Sequence, residues 1–273
     1  MSGISPSFGG VSLLLEGHGA LLSGDLRPPA PETVDSALPP PVAWARAAAV
    51  IIAEMSGHDA VLFDLDGVLV DSRVPFARSI NGALVAHGLP PRPAHELHGY
   101  LGPPIHETFQ ALVGDRSILQ QCVDSYRTLY REMAARETLV FPGVTEILED
   151  LSNALPLLVA TSKPRALAEP LLDALDLRGY FDAVIGPGLD DESEQKSVTV
   201  KRAIEELPSG ARAVMVGDRR YDVIAAHANG IPAIGVLWGI GSEAELRTAA
   251  ADAIARTPAE LRTLLGQSGS AEL

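Results

Sequence analysis

The sequence predicts an α/β protein with a Rossmann-like, mostly parallel sheet as its core and a helical domain inserted after the first strand. Short apolar runs of strand length alternate with segments of helical spacing in the second half of the chain. This alternation is typical of a parallel sheet that carries helices on both faces. A long segment with helical spacing and no strong strand signal separates the first apolar run from the others.

The first predicted strand ends in an acidic turn. Val61-Leu62-Phe63 suits a fully buried strand, and Asp64 and Asp66 follow where it should end. Alternate residues of a strand point to the same side, so both carboxylates can face one site. Gly67 permits a sharp turn directly afterwards. Two neighbouring acids repel each other unless a cation lies between them, which suggests a hard divalent ion such as Mg2+. The alternative is a surface turn that happens to be rich in Asp.

The inserted segment is predicted to hold three or four helices, because its apolar residues recur at the spacing of helix faces. Breaks are expected at Gly88–Pro91 and Gly102–Pro104. The predicted domains are a mobile N-terminal extension (1–54), a core (55–74 and 142–273) and a helical cap (75–141). The extension is rich in Gly, Ser, Pro and Ala, so we hypothesise that Met55 is the natural start. The alternative is a targeting or partner-binding arm.

The remainder of the core is predicted to alternate strands with helices. The expected strands are 157–160, 181–186, 213–218 and 231–237, and the expected helices are about 166–175, 196–207 and 221–228. Short helices are expected to finish the chain. Because parallel strands end at the same edge, polar residues that follow them should lie together.

Composition limits the possible functions. The chain has 273 residues, of which 47% are hydrophobic and 21% charged, and these values are ordinary for a soluble globular protein. The net charge of -14 argues against nucleic-acid binding through a basic face. One cysteine, Cys122, permits neither an intrachain disulfide nor a cysteine metal cluster. The sequence offers no membrane-spanning run and no convincing secretory signal, so we expect a cytoplasmic enzyme without a membrane partner.

Polar residues at other strand ends extend the acidic turn into a candidate site. Thr161 follows the second strand, Asp218 follows the fourth, and Asp222 comes one helical turn later. Lys196 stands where a loop enters a helix. This set combines a nucleophile, an acid/base, a hydroxyl donor, a fixed cation and metal ligands, which are the parts that phosphoryl transfer requires.

Each of these residues also has an ordinary interpretation. Thr161 could simply cap the next helix, and Asp222 could be a surface acid favoured by the helix dipole. Lys196 could be a solvated lysine, with Lys163 or Lys201 as the cation of the site instead.

Other polar residues are interpreted as solvated or as packing residues. Arg73, Arg127 and Arg131 could reach a substrate, but we expect them to be solvated residues of the insert. The histidines show no metal-ligand spacing, and Trp238 is expected to pack.

Taken together, these motifs resemble the haloacid dehalogenase superfamily of phosphatases. The motifs are Asp64-Leu65-Asp66-Gly67, Thr161, Lys196 and Gly217-Asp218-Arg219-Arg220-Tyr221-Asp222. The likeness covers about 60–265, and the place of the insert resembles members that carry a helical cap. The finer details are similar to the phosphoglycolate phosphatase and 5'-nucleotidase-like branch. They are Leu101–Pro104, Ala160–Pro164 and Gly217–Asp222.

The resemblance implies roles for the candidate residues. Asp64 would attack phosphorus and form an aspartyl-phosphate, while Asp66 would act first as acid and then as base. Phosphate binding would involve Thr161, Ser162, Lys196 and Gly67. Mg2+ would be held by Asp64, the backbone carbonyl of Asp66 and Asp218, with Asp222 orienting the site or binding the ion through water.

The function expected from this resemblance is a Mg2+-dependent phosphatase for a small phosphorylated metabolite, such as phosphoglycolate or a nucleoside monophosphate. The enzyme would act as a monomer or homodimer, without nucleic acid. Alternatives are a sugar-phosphate mutase of β-phosphoglucomutase type and a non-catalytic scaffold. A dehalogenase is disfavoured because halide leaves without a proton, so Asp66 would be idle.

Overall fold

The structure is a computed structural model that describes residues 57–114, 116–189, 191 and 194–266. The predicted N-terminal extension and the hypothesis that Met55 is the natural start lie outside these residues. Among the helices described, none combines the length and the apolar character needed to cross a membrane.

A parallel sheet forms the centre of the core. The strands are β1 (Ala60–Phe63), β2 (Val70–Asp71), β3 (Leu139–Val140), β4 (Leu157–Ala160), β5 (Ala183–Ile185), β6 (Ala213–Gly217), β7 (Ala233–Val236) and β8 (Ala253–Ala255). Six of them form one sheet in the order β5-β4-β1-β6-β7-β8, and all paired neighbours run parallel. The predicted α/β fold is therefore confirmed, and β1 lies between β4 and β6, where ligands of such sheets bind.

Helices cover the sheet and form the insert. They are α1 (Arg73–Ala86), α2 (Ala94–Leu97), α3 (Ile105–Leu112), α4 (Leu119–Glu137), α5 (Val144–Ser152), α6 (Arg165–Ala174), α7 (Lys196–Glu205), α8 (Arg220–Ala228), α9 (Glu243–Thr248) and α10 (Pro258–Leu264). Short 3-10 turns lie at His98–Tyr100, Arg116–Ile118 and Arg178–Tyr180.

Burial on both faces fixes the central strand. Val61 and Phe63 pack into the apolar layer on one side of the sheet, and Leu62 packs into the layer on the other. All three are buried. Each such side chain contributes about 1.5–3 kcal/mol relative to exposure, so the end of β1 is a rigid position for functional residues.

The helical cap is inserted after the first strand, as predicted. Its helices α1, α3 and α4 meet at an aromatic cluster in which Tyr126 makes edge contacts with Phe76 and Phe109, at centroid distances of 5.9 and 6.0 Å. The two chain connections to the core pair with each other as antiparallel β2 and β3. Helix α1 begins at Arg73, and the division of the chain at 74/75 and 141/142 stays a prediction.

Two short strands were not foreseen from the sequence. Short helices were expected to finish the chain, and α9 and α10 do so, but Ala253–Ala255 also forms β8 beside β7. The insert was expected to hold no strong strand, and the two-residue strand Leu139–Val140 at its end pairs with Val70–Asp71. Both strands are very short, and pairing with a neighbouring strand holds them extended.

Candidate active site

Three strand ends bring their polar residues to one edge of the sheet. Asp64, Thr161 and Asp218 directly follow β1, β4 and β6. Each side chain is buried, with Asp218 fully inaccessible. The backbone N–H of Asp64 donates to the Val216 carbonyl at 2.9 Å, which extends the ladder past the strand end. These positions are thus fixed by the sheet rather than by a loop.

Three buried carboxylates and one ammonium form the centre of the site. Oxygen atoms of Asp64, Asp218 and Asp222 lie within 4.8 Å of one another. Lys196, the first residue of α7, contacts Asp64 Oδ1 at 2.7 Å and Asp222 Oδ1 at 3.0 Å through its Nζ. Asp222 also accepts the Arg219 N–H at 3.1 Å in the first turn of α8. The group thus contains three acids and one ammonium, which leaves excess negative charge when the acids are ionised.

The excess charge appears in the acid–base properties of the group. Burial, followed by the Asp222 charge, raises the pKa of Asp218 to about 8, although the Ile240 N–H opposes the change. Burial also raises the pKa of Asp64 to about 6, against the pull of Lys196. Burial works against a charged Lys196, but Asp222 and Asp64 outweigh it and raise the pKa of the ammonium. A further positive charge at this point would stabilise all three carboxylates in their ionised form.

The surroundings of Asp218 fit a hard divalent cation. Asp218 Oδ1 is buried and, within the described part of the chain, has no hydrogen-bond partner, whereas Oδ2 accepts the Ile240 N–H at 2.6 Å. Gly67, with φ of +87°, and Gly239 approach this carboxylate so closely that an added Cβ would collide with it. A crowded oxygen without a donor among other carboxylates is suited to coordinate Mg2+ or a similar ion.

Asp66 has different surroundings. Its carboxylate accepts a hydrogen bond from Ser72 Oγ and contacts Lys163 Nζ at 2.7 and 2.6 Å through Oδ1 and Oδ2. Lys163 also donates to the Tyr130 hydroxyl at 2.7 Å. Asp66 is therefore paired with its own cation, Lys163, although its charge also acts on Asp64. The metal contact expected for its backbone carbonyl stays a prediction.

A cavity of about 60 Å³ lies between the two acidic centres and the cap. Asp64, Asp66, Thr161 and Ser162 line it on the core side, so four of the predicted site residues meet there. At about 10–15 Å³ for each water-sized group, the cavity holds a few such groups. Gly67 lies against Asp218 instead, and its predicted phosphate contact stays a prediction.

The three lysines that were candidates for the cation of the site lie in different positions. Lys196 lies between Asp64 and Asp222, Lys163 lies on Asp66, and Lys201 is exposed on α7 near Glu205. Lys163 could have been placed from the sequence, because it follows Thr161 by two residues at a strand end. Its partner Tyr130 carried no such signal, since a Tyr in a helical apolar pattern indicates packing.

Two arginines link the cap to the core. Arg127 was expected to be solvated, which was wrong: it is 9% exposed, lines the cavity and donates to the Leu189 carbonyl at 2.8 Å. Arg219, which the sequence placed in the Gly217–Asp222 motif without a role, donates to the Leu101 carbonyl at 2.6 Å and to Glu245 at 3.0 Å. Both guanidinium groups are buried because they satisfy carbonyl oxygens across the boundary between the two domains.

Arg73 and Trp238 have the exposure and packing that the sequence led us to expect. Arg73 forms an ion pair with Asp71 at 2.6 Å and is partly exposed. Trp238 packs as expected, and its indole N–H also donates to the Val68 carbonyl at 2.9 Å, next to the Gly67 turn.

Known proteins resemble this chain in sequence and fold. Residues 61–236 match the family model described as haloacid dehalogenase-like hydrolase. A 5'-nucleotidase of Pseudomonas aeruginosa is 35% identical over 68% of this chain and 86% of its own length. A phosphoglycolate phosphatase of Caulobacter vibrioides is 32% identical over 71% of this chain and 85% of its own.

A kinase name also occurs among the relatives. Tyrosine-protein kinase PtkA of Mycobacterium tuberculosis is 34% identical over 66% of this chain, which spans 62% of that protein's length. Among solved structures, a predicted phosphatase from Clostridium acetobutylicum superposes with a TM-score of 0.70 at 34% identity, covering 75% of this chain and 96% of that one. The chain therefore belongs to the haloacid dehalogenase-like hydrolase family.

Proposed function

We propose that the protein is a Mg2+-dependent phosphatase that hydrolyses a small phosphomonoester through an aspartyl-phosphate on Asp64. The observation that carries the proposal is the buried group formed by Asp64, Asp218, Asp222 and Lys196, in which Asp218 Oδ1 has no described hydrogen-bond donor. A phosphatase needs an anionic nucleophile that can approach an anionic ester. Because this group has more acids than cations, a bound metal ion would supply the positive charge that such an approach requires.

Asp64 is the nucleophile. One of its oxygens contacts Lys196, and the carboxylate lines the cavity where a phosphoryl group would enter. Its Oδ1 also accepts the Leu65 N–H at 2.8 Å, so the carboxylate is held from two sides. A fixed nucleophile removes much of the entropic cost of in-line attack, and the covalent route divides hydrolysis into two easier steps.

Asp66 transfers the protons. It also lines the cavity, and the Ser72 and Lys163 contacts hold its carboxyl group in place. It would donate a proton to the departing alkoxide and later accept one from the water that attacks the aspartyl-phosphate. Thr161 and Ser162 would donate hydrogen bonds to phosphate oxygens, and Lys196 would offset their charge.

The residues that would hold the ion are Asp64, Asp218 and the Asp66 backbone carbonyl, with Asp222 behind them. When bound, the ion would supply the positive charge that allows a carboxylate and a phosphate to approach each other. Asp222 would act mainly by orienting Lys196, which it contacts at 3.0 Å.

The space beside Asp64 continues into a second cavity. This cavity of about 270 Å³ is lined by Lys196 and shares Gly102, Pro103 and Ser162 with the first, so a leaving group larger than a few atoms can be accommodated. Both activities named for relatives, phosphoglycolate hydrolysis and nucleotide hydrolysis, are therefore candidates for this chain. The predicted cytoplasmic location and the monomeric or homodimeric state stay predictions.

The test is a phosphate-release assay on the full chain with two- and three-carbon phosphomonoesters, hexose phosphates and nucleoside monophosphates. We expect inorganic phosphate from at least one of these classes of ester with Mg2+ and none after exhaustive chelation. Undiminished release after chelation would contradict the proposed metal dependence. Isomerised sugar phosphate without free phosphate would instead identify a mutase.

A further inference from the structure

Asp66 is joined to the cap by a continuous series of polar contacts. Lys163 Nζ lies 2.7 Å from Asp66 Oδ1 and 2.6 Å from Oδ2, so the ammonium contacts both oxygens of the carboxylate. The same ammonium donates to the Tyr130 hydroxyl at 2.7 Å. Asp66 and Lys163 belong to the core, whereas Tyr130 lies on α4 of the cap. The position of this carboxyl group therefore depends on both domains.

Burial gives these contacts little freedom. The Asp66 side chain is 13% exposed and that of Lys163 is 8% exposed, while Tyr130 and Ser72 are almost completely inaccessible. Water competes poorly for polar groups in such surroundings, and hydrogen bonds there are electrostatically stronger. Ser72 stands directly before α1, where the chain enters the cap, so the second donor to Asp66 also lies at the domain boundary.

The ring and the hydroxyl of Tyr130 contribute different interactions. The ring stacks on Tyr126 at a centroid distance of 5.5 Å inside the cap, which accounts for its packing. The Lys163 ammonium lies 4.6 Å from the ring centroid and donates a hydrogen bond to the hydroxyl oxygen. Packing alone would be satisfied by Phe, so the hydroxyl group is explained by its polar neighbours, which are Lys163 together with Ser72 and Thr138.

We propose that Tyr130 and Lys163 are positioning residues for proton transfer by Asp66. Tyr130 of the cap fixes the ammonium of Lys163, and that ammonium fixes the carboxyl group of Asp66 toward the leaving-group side of the cavity. Lys196 serves the nucleophile in the corresponding way, so each acid of the turn has its own lysine. The inference rests on the proposed phosphatase function, and it adds that the cap is needed for protonation of the leaving group.

The test compares leaving groups that need a proton with one that does not. Tyr130→Phe keeps the ring and removes the hydroxyl, and kcat/KM is measured with ethyl phosphate and with p-nitrophenyl phosphate. This ratio reports the steps up to the aspartyl-phosphate, in which an ethoxide must be protonated but p-nitrophenolate leaves as the anion. We expect about a tenfold loss on the alkyl ester, part of the 10²–10⁴ that general acid catalysis supplies, and less than about a twofold loss on the aryl ester.

A second variant extends the test to the ammonium. Lys163→Met should produce the same selective loss on the alkyl ester, larger at about 100-fold, because the direct contact with Asp66 is removed. Tyr180→Phe, at a half-buried position, and Lys201→Met, at an exposed one, are matched controls outside the site, and both esters should be hydrolysed at wild-type rates. Circular dichroism and the thermal midpoint verify that each variant is folded.

The outcomes separate the inference from the proposed function. Equal losses on both esters would show that Tyr130 acts through packing alone, and unchanged rates on both would show that its contact with Lys163 is idle; either result overturns the inference. A wild-type protein that hydrolyses neither ester would overturn the phosphatase proposal first, and the inference with it.

Discussion

The two carboxylates of the acidic turn, Asp64 and Asp66, are two residues apart and have opposite kinds of surroundings. Asp64 meets Lys196, Asp218 and Asp222, all of which belong to the core. Asp66 meets Lys163 of the core, Ser72 at the domain connection and, through Lys163, Tyr130 of the cap. In the proposed mechanism, the group for attack on phosphorus is thus assembled by the core alone, whereas the group for proton transfer is completed by the cap.

This difference bears on how a phosphatase of this kind can select substrates. In the proposed mechanism, a rearrangement of the cap changes the proton donor while the nucleophile and the metal ligands keep their positions. Poor substrates that leave the cap displaced would then fail at the protonation of the leaving group.

Replacement of the nucleophile should have the largest effect. Asp64→Asn keeps the shape of the side chain but removes the anionic oxygen, so turnover should fall by on the order of 10⁴-fold or more on every ester. The assay is phosphate release at saturating Mg2+. Asp173→Asn, at an exposed position on α6, is the control. An Asp64→Asn protein with near-normal turnover would remove the covalent route from consideration.

Asp218→Asn should weaken the metal site next. The buried Oδ1 that has no described donor would lose its charge, so the Mg2+ concentration for half-maximal activity should rise by about 100-fold. Metal titration of the activity, together with calorimetric titration of Mg2+, measures the change. The same variant should leave the ratio of alkyl to aryl ester rates unaltered, because Asp66 is held by other residues. A changed ratio with an unchanged metal requirement would mean that the two acidic groups are not separate.

Stability should depend on pH with a sign set by the same group. The pKa values of Asp64 and Asp218 are raised to about 6 and about 8, so without metal the folded state holds protons that the unfolded chain releases. The contribution of these two groups to stability is therefore complete below the ordinary pKa of Asp, about 4, and is lost as pH rises to these values. The thermal midpoint of the chelated protein should fall between about pH 6 and about pH 8, by about 2–4 °C for each kcal/mol.

Mg2+ gives the control for this measurement. Because the ion binds ionised carboxylates, it should raise the midpoint more at pH 8 than at pH 6. A chelated protein whose midpoint climbs over this range would contradict the raised pKa values.

The smallest effect is expected at the cap contact that involves neither acid of the turn. Arg219→Met removes the hydrogen bond to the Leu101 carbonyl, which holds a loop of the cavity wall. KM should rise about fivefold, since partial loss of a charged hydrogen bond costs about 1 kcal/mol, while kcat stays within about twofold. Steady-state kinetics with the preferred ester measures both constants. Arg220→Met, at the adjacent exposed position, should match the wild type, and an equal rise in its KM would refute a specific role for Arg219.

The same contrast explains which parts could be predicted from the sequence. Strand ends in a parallel sheet share one edge, so Asp64, Thr161 and Asp218 could be brought together before the structure was seen. The partners of Asp66 could not, because Tyr130 lies in a helix whose apolar spacing indicates only packing. Arg127 was misjudged for a related reason: its burial depends on the Leu189 carbonyl in a distant loop. Short edge strands such as β8 likewise depend on their neighbours.

The glycines around Asp218 have a practical consequence. A single methyl group added at Gly239 would occupy space that belongs to the Asp218 carboxylate and to the Gly67 carbonyl. Gly239→Ala is therefore expected to be inactive, although every acid, lysine and hydroxyl is retained. Because its charge is unchanged, this variant can be used to capture the natural ligand or as the negative control in cellular complementation.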